Sequence, residues 1–277
     1  MKQNPRISIV TPSFNQGAFL ERTIRSVLDQ NYPNLEYIII DGGSTDGSVD
    51  IIRQYEHRFR YWQSEVDRGQ TDAICKGMTI ATGDILAYLN SDDVLLPGSL
   101  ASVANSISIN VPSWLVGHQH IIDERDTLLC RRPVFPFSLG DIWHNNYFVP
   151  QECTFFSKKM LDEIGGFDYS FNYAMDMHAW LRMASISAPV LLPAYIGCFR
   201  VHSAQKTSQM HKYLEEGIRA RELVSSWRCT RGLRGIPPKP LLTGRYHRAA
   251  KALYYLARGG PRLLAEILNF QRLYRPI

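Results

Sequence analysis

The sequence predicts an α/β fold: a Rossmann-like, mostly parallel central sheet with helices on both faces, followed by a helical, basic C-terminal tail. Two observations carry the sheet. Strand and helix segments alternate four times before residue 93, and the strands are near-continuous apolar runs, although the first, Arg6 to Val10, alternates. The third observation is a shift in charge. From Leu223 to Ile277 the chain holds eleven Lys and Arg against the single acid Glu266, a net +10, so the preceding 222 residues carry −5 of the overall +5.

The elements follow in order. Arg6 to Val10 is β-branched and breaks at Thr11-Pro12, which predicts the first strand. Ala18 to Gln30 sets Phe19, Leu20, Ile24, Val27 and Leu28 on one helical face, and Asn31-Tyr32-Pro33-Asn34 stops that helix. Leu35 to Ile40 is a buried strand closing on Asp41-Gly42-Gly43. Ser48 to Tyr55 reads as a helix, Phe59 to Glu65 as a strand, Thr71 to Ala81 as a helix and Asp84 to Asn90 as the fourth strand. Beyond Pro97 the pattern loosens. Ser113 to Ile122 and Leu128 to Val134 are expected to pair antiparallel around a turn at Asp123 to Asp126. Tyr173 to Ser187 is an amphipathic helix with Met177, Leu181 and Ala184 inward, and Pro189 to Val201 is a strand. Lys206 to Gln209 reads as a loop. The expected division is therefore a domain over 1–208 and a helical extension over 209–277.

Composition narrows the class. At 277 residues, 45% apolar and 21% charged, the chain can bury a full core, and disorder is excluded as the default. No apolar run approaches the roughly 20 residues of a membrane span. Met1 to Pro5 shows no signal-peptide pattern, so the expected location is the cytoplasm. Cys75, Cys130, Cys153, Cys198 and Cys229 form neither a CxxC pair nor a zinc set.

The chemistry gathers at strand ends. In Leu86 to Asp93 an apolar strand stops at Asn90-Ser91-Asp92-Asp93, two adjacent acids that repel each other and lose hydration. A hard divalent cation removes that conflict and tolerates substrate phosphates. A solvated turn is the plain alternative. However, Thr11 to Asn15, Asp41 and Glu65 to Gly69 also follow strands, where parallel sheets bind ligands. The glycines after Asp41 permit close backbone approach.

These residues resemble family 2 glycosyltransferases of the GT-A fold. Thr11-Pro12-Ser13-Phe14-Asn15, Asp41 to Gly47 and Asn90-Ser91-Asp92-Asp93 look like that family's successive motifs. Gly165-Gly166-Phe167-Asp168 and Met175 to Arg182 resemble its acceptor-side segments, and the match runs over about residues 5–205. The resemblance implies an inverting transferase using a nucleotide-diphosphate sugar, UDP foremost, with Mn²⁺ or Mg²⁺. It implies that Thr11, Ser13 and Asn15 line the nucleotide site, with Asp41 on uracil or ribose. Asp67 would lie near the nucleotide and Asp72 near the sugar–ribose side. In the metal motif, which reads Ser91-Asp92-Asp93 beside Asn90, Asp93 would bind the cation and Asp92 the ribose or metal shell. Asp176 would be the base that deprotonates the acceptor. Arg200 and His202 follow the last strand, where the family places a His that contacts diphosphate or metal; Arg200 would be donor-binding and His202 a metal ligand. Gln151-Glu152 resembles an acceptor-site pair, and either could instead cap a strand.

The expected acceptor is a saccharide or a polyprenyl-diphosphate-linked saccharide in surface polysaccharide assembly. In the tail, Gly244 to Arg258 and Pro261 to Arg275 read as cationic amphipathic helices suited to an anionic membrane surface. Packing on the body or on a second subunit is the alternative, and no recognition motif supports nucleic acid. A sugar-phosphate nucleotidyltransferase is the rival enzyme, but Thr11 to Gly17 lacks the Gly-rich basic loop it requires. A binder that has lost catalysis is the non-enzyme rival, and Asp93 and Asp176 argue against it.

Overall fold

Ile7, Ile9 and Val10 are wholly buried, which makes the first strand the middle of a sheet rather than its edge. The computed structural model describes residues 4–145, 147–233 and 235–238. Its strands are β1 (Ile7–Ser13), β2 (Leu35–Asp41), β3 (Tyr61–Ser64), β4 (Ile85–Tyr88), β5 (Val94–Leu95), β6 (Trp114–Ile122), β7 (Leu128–Arg132), β8 (Thr154–Ser157) and β9 (Val190–Arg200). Its helices are α1 (Gly17–Leu28), α2 (Ser48–Tyr55), α3 (Gln70–Ile80), α4 (Ser99–Ala104), α5 (Leu139–Trp143), α6 (Lys158–Ile164), α7 (Met175–Ile186) and α8 (Met210–Thr230).

One sheet runs β3-β2-β1-β4-β8-β6-β9-β5, with β7 paired to β6. The β3-β2-β1-β4 half is wholly parallel, and its register aligns Ser13 with Asp41 and Asp41 with Ser64. That alignment places the polar ends of three strands along one rim. The other half is mixed: β8 enters antiparallel between β4 and β6, while β6 and β9 run parallel. The expected β6–β7 hairpin forms, with a register shift at Ile121/Ile122.

Each sheet face has its own core. One is filled from α1, α2 and α4 (Leu20, Ile24, Ile52, Leu100 and Val103). The other is filled from α3, α6 and α7, including Ile74, Met160 and Trp180. Helix α3 lies very close to β1, because a Cβ on Gly77 would sit 2.3 Å from Val10 Cγ1. Gly77→Ala should therefore overpack this contact and cost about 1–3 kcal/mol, read as a lowered Tm.

Helix α8 packs on α7. Gly217, Ala220 and Val224 are buried there, and a Cβ on Gly217 would stand 3.1 Å from Met177 Sδ. The tail segments Gly244 to Arg258 and Pro261 to Arg275 lie outside the described residues. Among the described residues no helix is long and apolar enough to cross a membrane.

Candidate active site

The rim above β2 is built from short polar loops. Asp41 is fully buried, and its carboxylate accepts from Gly43 N (3.1 Å), Ser44 N (2.9 Å), Ser44 Oγ (2.6 Å) and Ser64 Oγ (2.7 Å). Four donors occupy the accepting capacity of a carboxylate, so Asp41 fixes the loop that follows it. Asn15, in the left-handed region at φ 51°, accepts from Thr45 N (2.9 Å), and its own N–H reaches Ser44 Oγ (2.8 Å). Thr11 is inside β1, its hydroxyl bonded to Tyr37 at 3.0 Å, and is not brought to the rim surface. Ser13 stands at the strand end, and its buried Oγ has no partner among the described residues.

Asp67 leans over Gly42, where a Cβ would meet both carboxylate oxygens at 3.1 Å. Burial raises its pKa, opposed by the Gly69 N–H at 2.7 Å. For Asp72 the balance reverses. Burial is overcome by Lys76 at 3.0 Å and the Arg68 N–H at 3.3 Å, holding the carboxyl below its ordinary range.

The turn after β4 carries the acids. Asp93 is buried, its Oδ1 accepting from Arg200 N (2.9 Å) and its Oδ2 meeting only Asn90 Nδ2 at 3.4 Å. Burial first, then the charges of Asp92 and Glu152, push Asp93 well above the usual carboxylate range. Glu152, itself buried, is raised chiefly by desolvation. Asp92 Oδ2 lies 3.0 Å from His202 Nε2. Asn90 continues a polar chain: its Oδ1 accepts from Gln70 Nε2 (2.7 Å) and its Nδ2 donates to Gln151 Oε1 (2.9 Å). Ser91 contributes its backbone, since Thr23 Oγ1 reaches the carbonyls of Ser91 (2.9 Å) and Asp93 (2.7 Å).

Arg200 is buried, and its Nη2 has no hydrogen-bond partner among the described residues. Its fully buried guanidinium donates to Asp92 O (2.7 Å), Asp123 O (3.0 Å) and Asp126 Oδ1 (2.5 Å), and it stacks on Phe19. It clamps the acidic turn to the β6–β7 turn. Asp126 also holds Arg22 at 2.8 Å, and no motif in the sequence pointed to it.

The opposite wall is the first turn of α7. Asp176 is partly buried there, and its Oδ1 accepts from Met177 N (2.6 Å). Burial pushes its carboxyl up to about 6; the Met177 N–H and Lys206 oppose, and Glu216 adds to the rise. Lys206 Nζ donates to Gln70 Oε1 (3.2 Å) and Asn172 O (2.7 Å), and its ammonium feels Glu216, Asp67 and Asp176. The Tyr88 phenol feels Asp176, Glu152 and Asp93. Gln70 ties the two sides together, its Nε2 donating to Asn90 Oδ1 and its Oε1 accepting from Lys206 Nζ. His178 and Arg182, from the same sequence motif, have structural duties. Arg182 binds the carbonyls of Ile164 (2.6 Å) and Gly166 (2.8 Å), and burial beside Arg182 depresses His178 to about 4, keeping it neutral.

Among the described residues no three His, Cys, Asp or Glu side chains form a ready cation cage. The acids still fit a hard cation. Among the described residues Asp93 Oδ2 has one long contact, and the charges of Asp92 and Glu152 crowd it. Magnesium-type ions ordinarily take one or two carboxylates and complete their shell with water and substrate phosphates.

The family model for glycosyl transferase family 2 matches residues 8–165. An uncharacterized glycosyltransferase of Mycobacterium tuberculosis is 36% identical over 197 residues, 69% of this chain and 74% of the relative. A Bacillus subtilis glycosyltransferase provisionally named for teichuronic acid biosynthesis is 42% identical over 92 residues, 32% of this chain and 36% of that one. Two solved structures share the fold. Staphylococcus aureus TarS 1-349 in complex with UDP-GlcNAc has TM-score 0.66 at 14% identity, covering 97% of this chain and 73% of TarS. The mannosyltransferase PcManGT of Pyrobaculum calidifontis, with GDP-Man and Mn²⁺, has TM-score 0.58 at 17% identity, covering 99% and 88%. The parallel strand rim with its loop-borne acids is thus the GT-A arrangement, and this glycosyltransferase belongs to glycosyl transferase family 2.

Proposed function

We propose that the protein transfers a sugar, with inversion, from a UDP-linked donor to a hydroxyl of a saccharide or lipid-linked saccharide, using a divalent cation. The observation that carries this reading is the side chain of Gln70, which bonds Asn90 of the acidic turn at 2.7 Å and, at 3.2 Å, the Lys206 ammonium whose charge bears on Asp176. Ser13, Asn15, Asp41 and Asp67 form the nucleotide end, with the unpartnered Ser13 hydroxyl available to the donor. Asp72 supports the sugar–ribose side from the first turn of α3.

Asp93, with Asp92 and His202 beside it, would hold the cation, which when bound neutralises the charge that develops on the departing diphosphate. Asp176 accepts the acceptor's hydroxyl proton as that oxygen bonds to the anomeric carbon. The bond from that carbon to the diphosphate breaks, and its electron pair leaves with the nucleotide. One displacement inverts the centre. Partial burial suits the base, because a carboxyl raised to about 6 is ionised at neutral pH yet more basic than a solvated one. TarS with UDP-GlcNAc and PcManGT with GDP-Man and Mn²⁺ support a nucleotide-sugar donor and a cation. The Bacillus relative supports a saccharide acceptor.

A thermal-shift screen of UDP- and GDP-sugars, each with Mn²⁺ or EDTA, tests the donor. A UDP-sugar should raise Tm only when Mn²⁺ is present, by about 2.7 kcal/mol of stabilisation at a hundredfold excess over Kd. A shift confined to GDP-sugars would refute the UDP assignment, and none with any nucleotide sugar would refute the donor class.

A further inference from the structure

Helix α7 has no cap of its own, since its N-cap residue Ala174 offers no side-chain acceptor. The acceptor comes from another helix. Glu216, on α8, takes the backbone N–H groups of Asn172 (3.0 Å), Tyr173 (2.7 Å) and Ala174 (2.8 Å). A carboxylate that takes three successive N–H groups running up to the N-cap residue fixes the entry into the helix and complements its positive end. Those three N–H groups lead directly into Met175 and Asp176. The same turn carries the Asn172 carbonyl that holds Lys206. Burial of Ala220 and Val224 holds α8 against the body of the fold on this side.

From this juxtaposition we infer that Glu216 is a positioning residue for transfer: it fixes the first turn of α7 and thereby the reach of Asp176 to the acceptor hydroxyl. The inference rests on Asp176 being the base. It makes α8, which lies beyond the stretch that resembles the family, part of the catalytic unit. Four ionisable groups face Asp176 among the described residues: Glu216 and Tyr213 from α8, Lys206 from the turn before it, and Tyr88 from β4.

The test is the pH dependence of donor hydrolysis by the full chain, with Asp176→Asn as control. Glu216→Gln should lower kcat about tenfold at neutral pH, with donor KM unchanged within about twofold, because the donor binds on the other wall. The acid limb should also move to lower pH by about half a unit, since a like charge beside Asp176 has been removed. Glu216→Asp, which keeps the charge on a shorter arm, should leave the acid limb in place while lowering kcat. It also serves as the second variant if Glu216→Gln does not fold. Wild-type kcat and pH profile in Glu216→Gln would overturn the inference, as would a wild-type kcat in Glu216→Asp. Wild-type turnover in Asp176→Asn would overturn the base assignment, and this inference with it.

Discussion

Asp176→Asn is expected to lower kcat by about 10²–10⁴, the usual cost of losing a general base, while donor binding changes little. Slow hydrolysis of the donor, with water in the acceptor's place, gives the assay. The same residue sets a pH signature. Its carboxyl is raised to about 6, chiefly by burial, so kcat/KM of the unsubstituted protein should fall about tenfold per unit below pH 6 as the base takes up a proton. Stability moves the other way. A carboxyl whose folded pKa exceeds its unfolded value contributes stability below the unfolded pKa, near 3.8, and loses it as pH rises through 6. Asp176→Asn should therefore be more stable than wild type at pH 8 by on the order of 1 kcal/mol, since two pKa units set a ceiling of about 3 kcal/mol. An active site that gains stability when its base is removed shows the usual opposition between the two demands. Unchanged kcat in a folded Asp176→Asn protein would remove Asp176 from the mechanism.

Asp93→Asn should have the second large effect. The substitution keeps the shape of the turn and the contact to Arg200 N, gives up the long contact from Asn90 Nδ2, and removes the charge that the cation needs. Mn²⁺ should then no longer tighten UDP binding, and turnover should fall by at least about 10², because the diphosphate leaves without charge neutralisation. Burial and the neighbouring Asp92 and Glu152 already push the Asp93 carboxyl up in the cation-free protein. Removing it should not destabilise the fold, and a thermal melt of the variant checks that point.

Much of the sheet was legible because buried parallel strands leave an unambiguous mark. Leu35 to Ile40 and Ile7 to Val10 are apolar at nearly every position, and their polar ends announce the rim. Strand β5 was not legible: two residues, Val94 and Leu95, carry no periodicity and are strand only because β9 pairs with them. Helices α4 to α6 are too short for a helical repeat to stand out. The acids of the site were visible as local oddities at strand ends, but their partners were not. Asp126 reaches Arg200 because β9 pairs with β6 beside the hairpin turn, and Glu216 reaches Asn172 across 44 residues only through the packing of α8 on α7. Arg200 illustrates the limit of a motif. Its position at a strand end is read from the sequence, whereas only the fold shows its Nε and Nη1 committed to the carbonyls of Asp92 and Asp123.

The central claim is cation-dependent transfer from a nucleotide sugar, and the release of UDP by chelator-treated protein tests it most directly. Unsubstituted protein should release UDP from its donor only when Mn²⁺ or Mg²⁺ is restored, and Asp93→Asn should not respond to either ion. Equal UDP release in EDTA and in Mn²⁺, or full restoration of Asp93→Asn by the metal, would contradict the account.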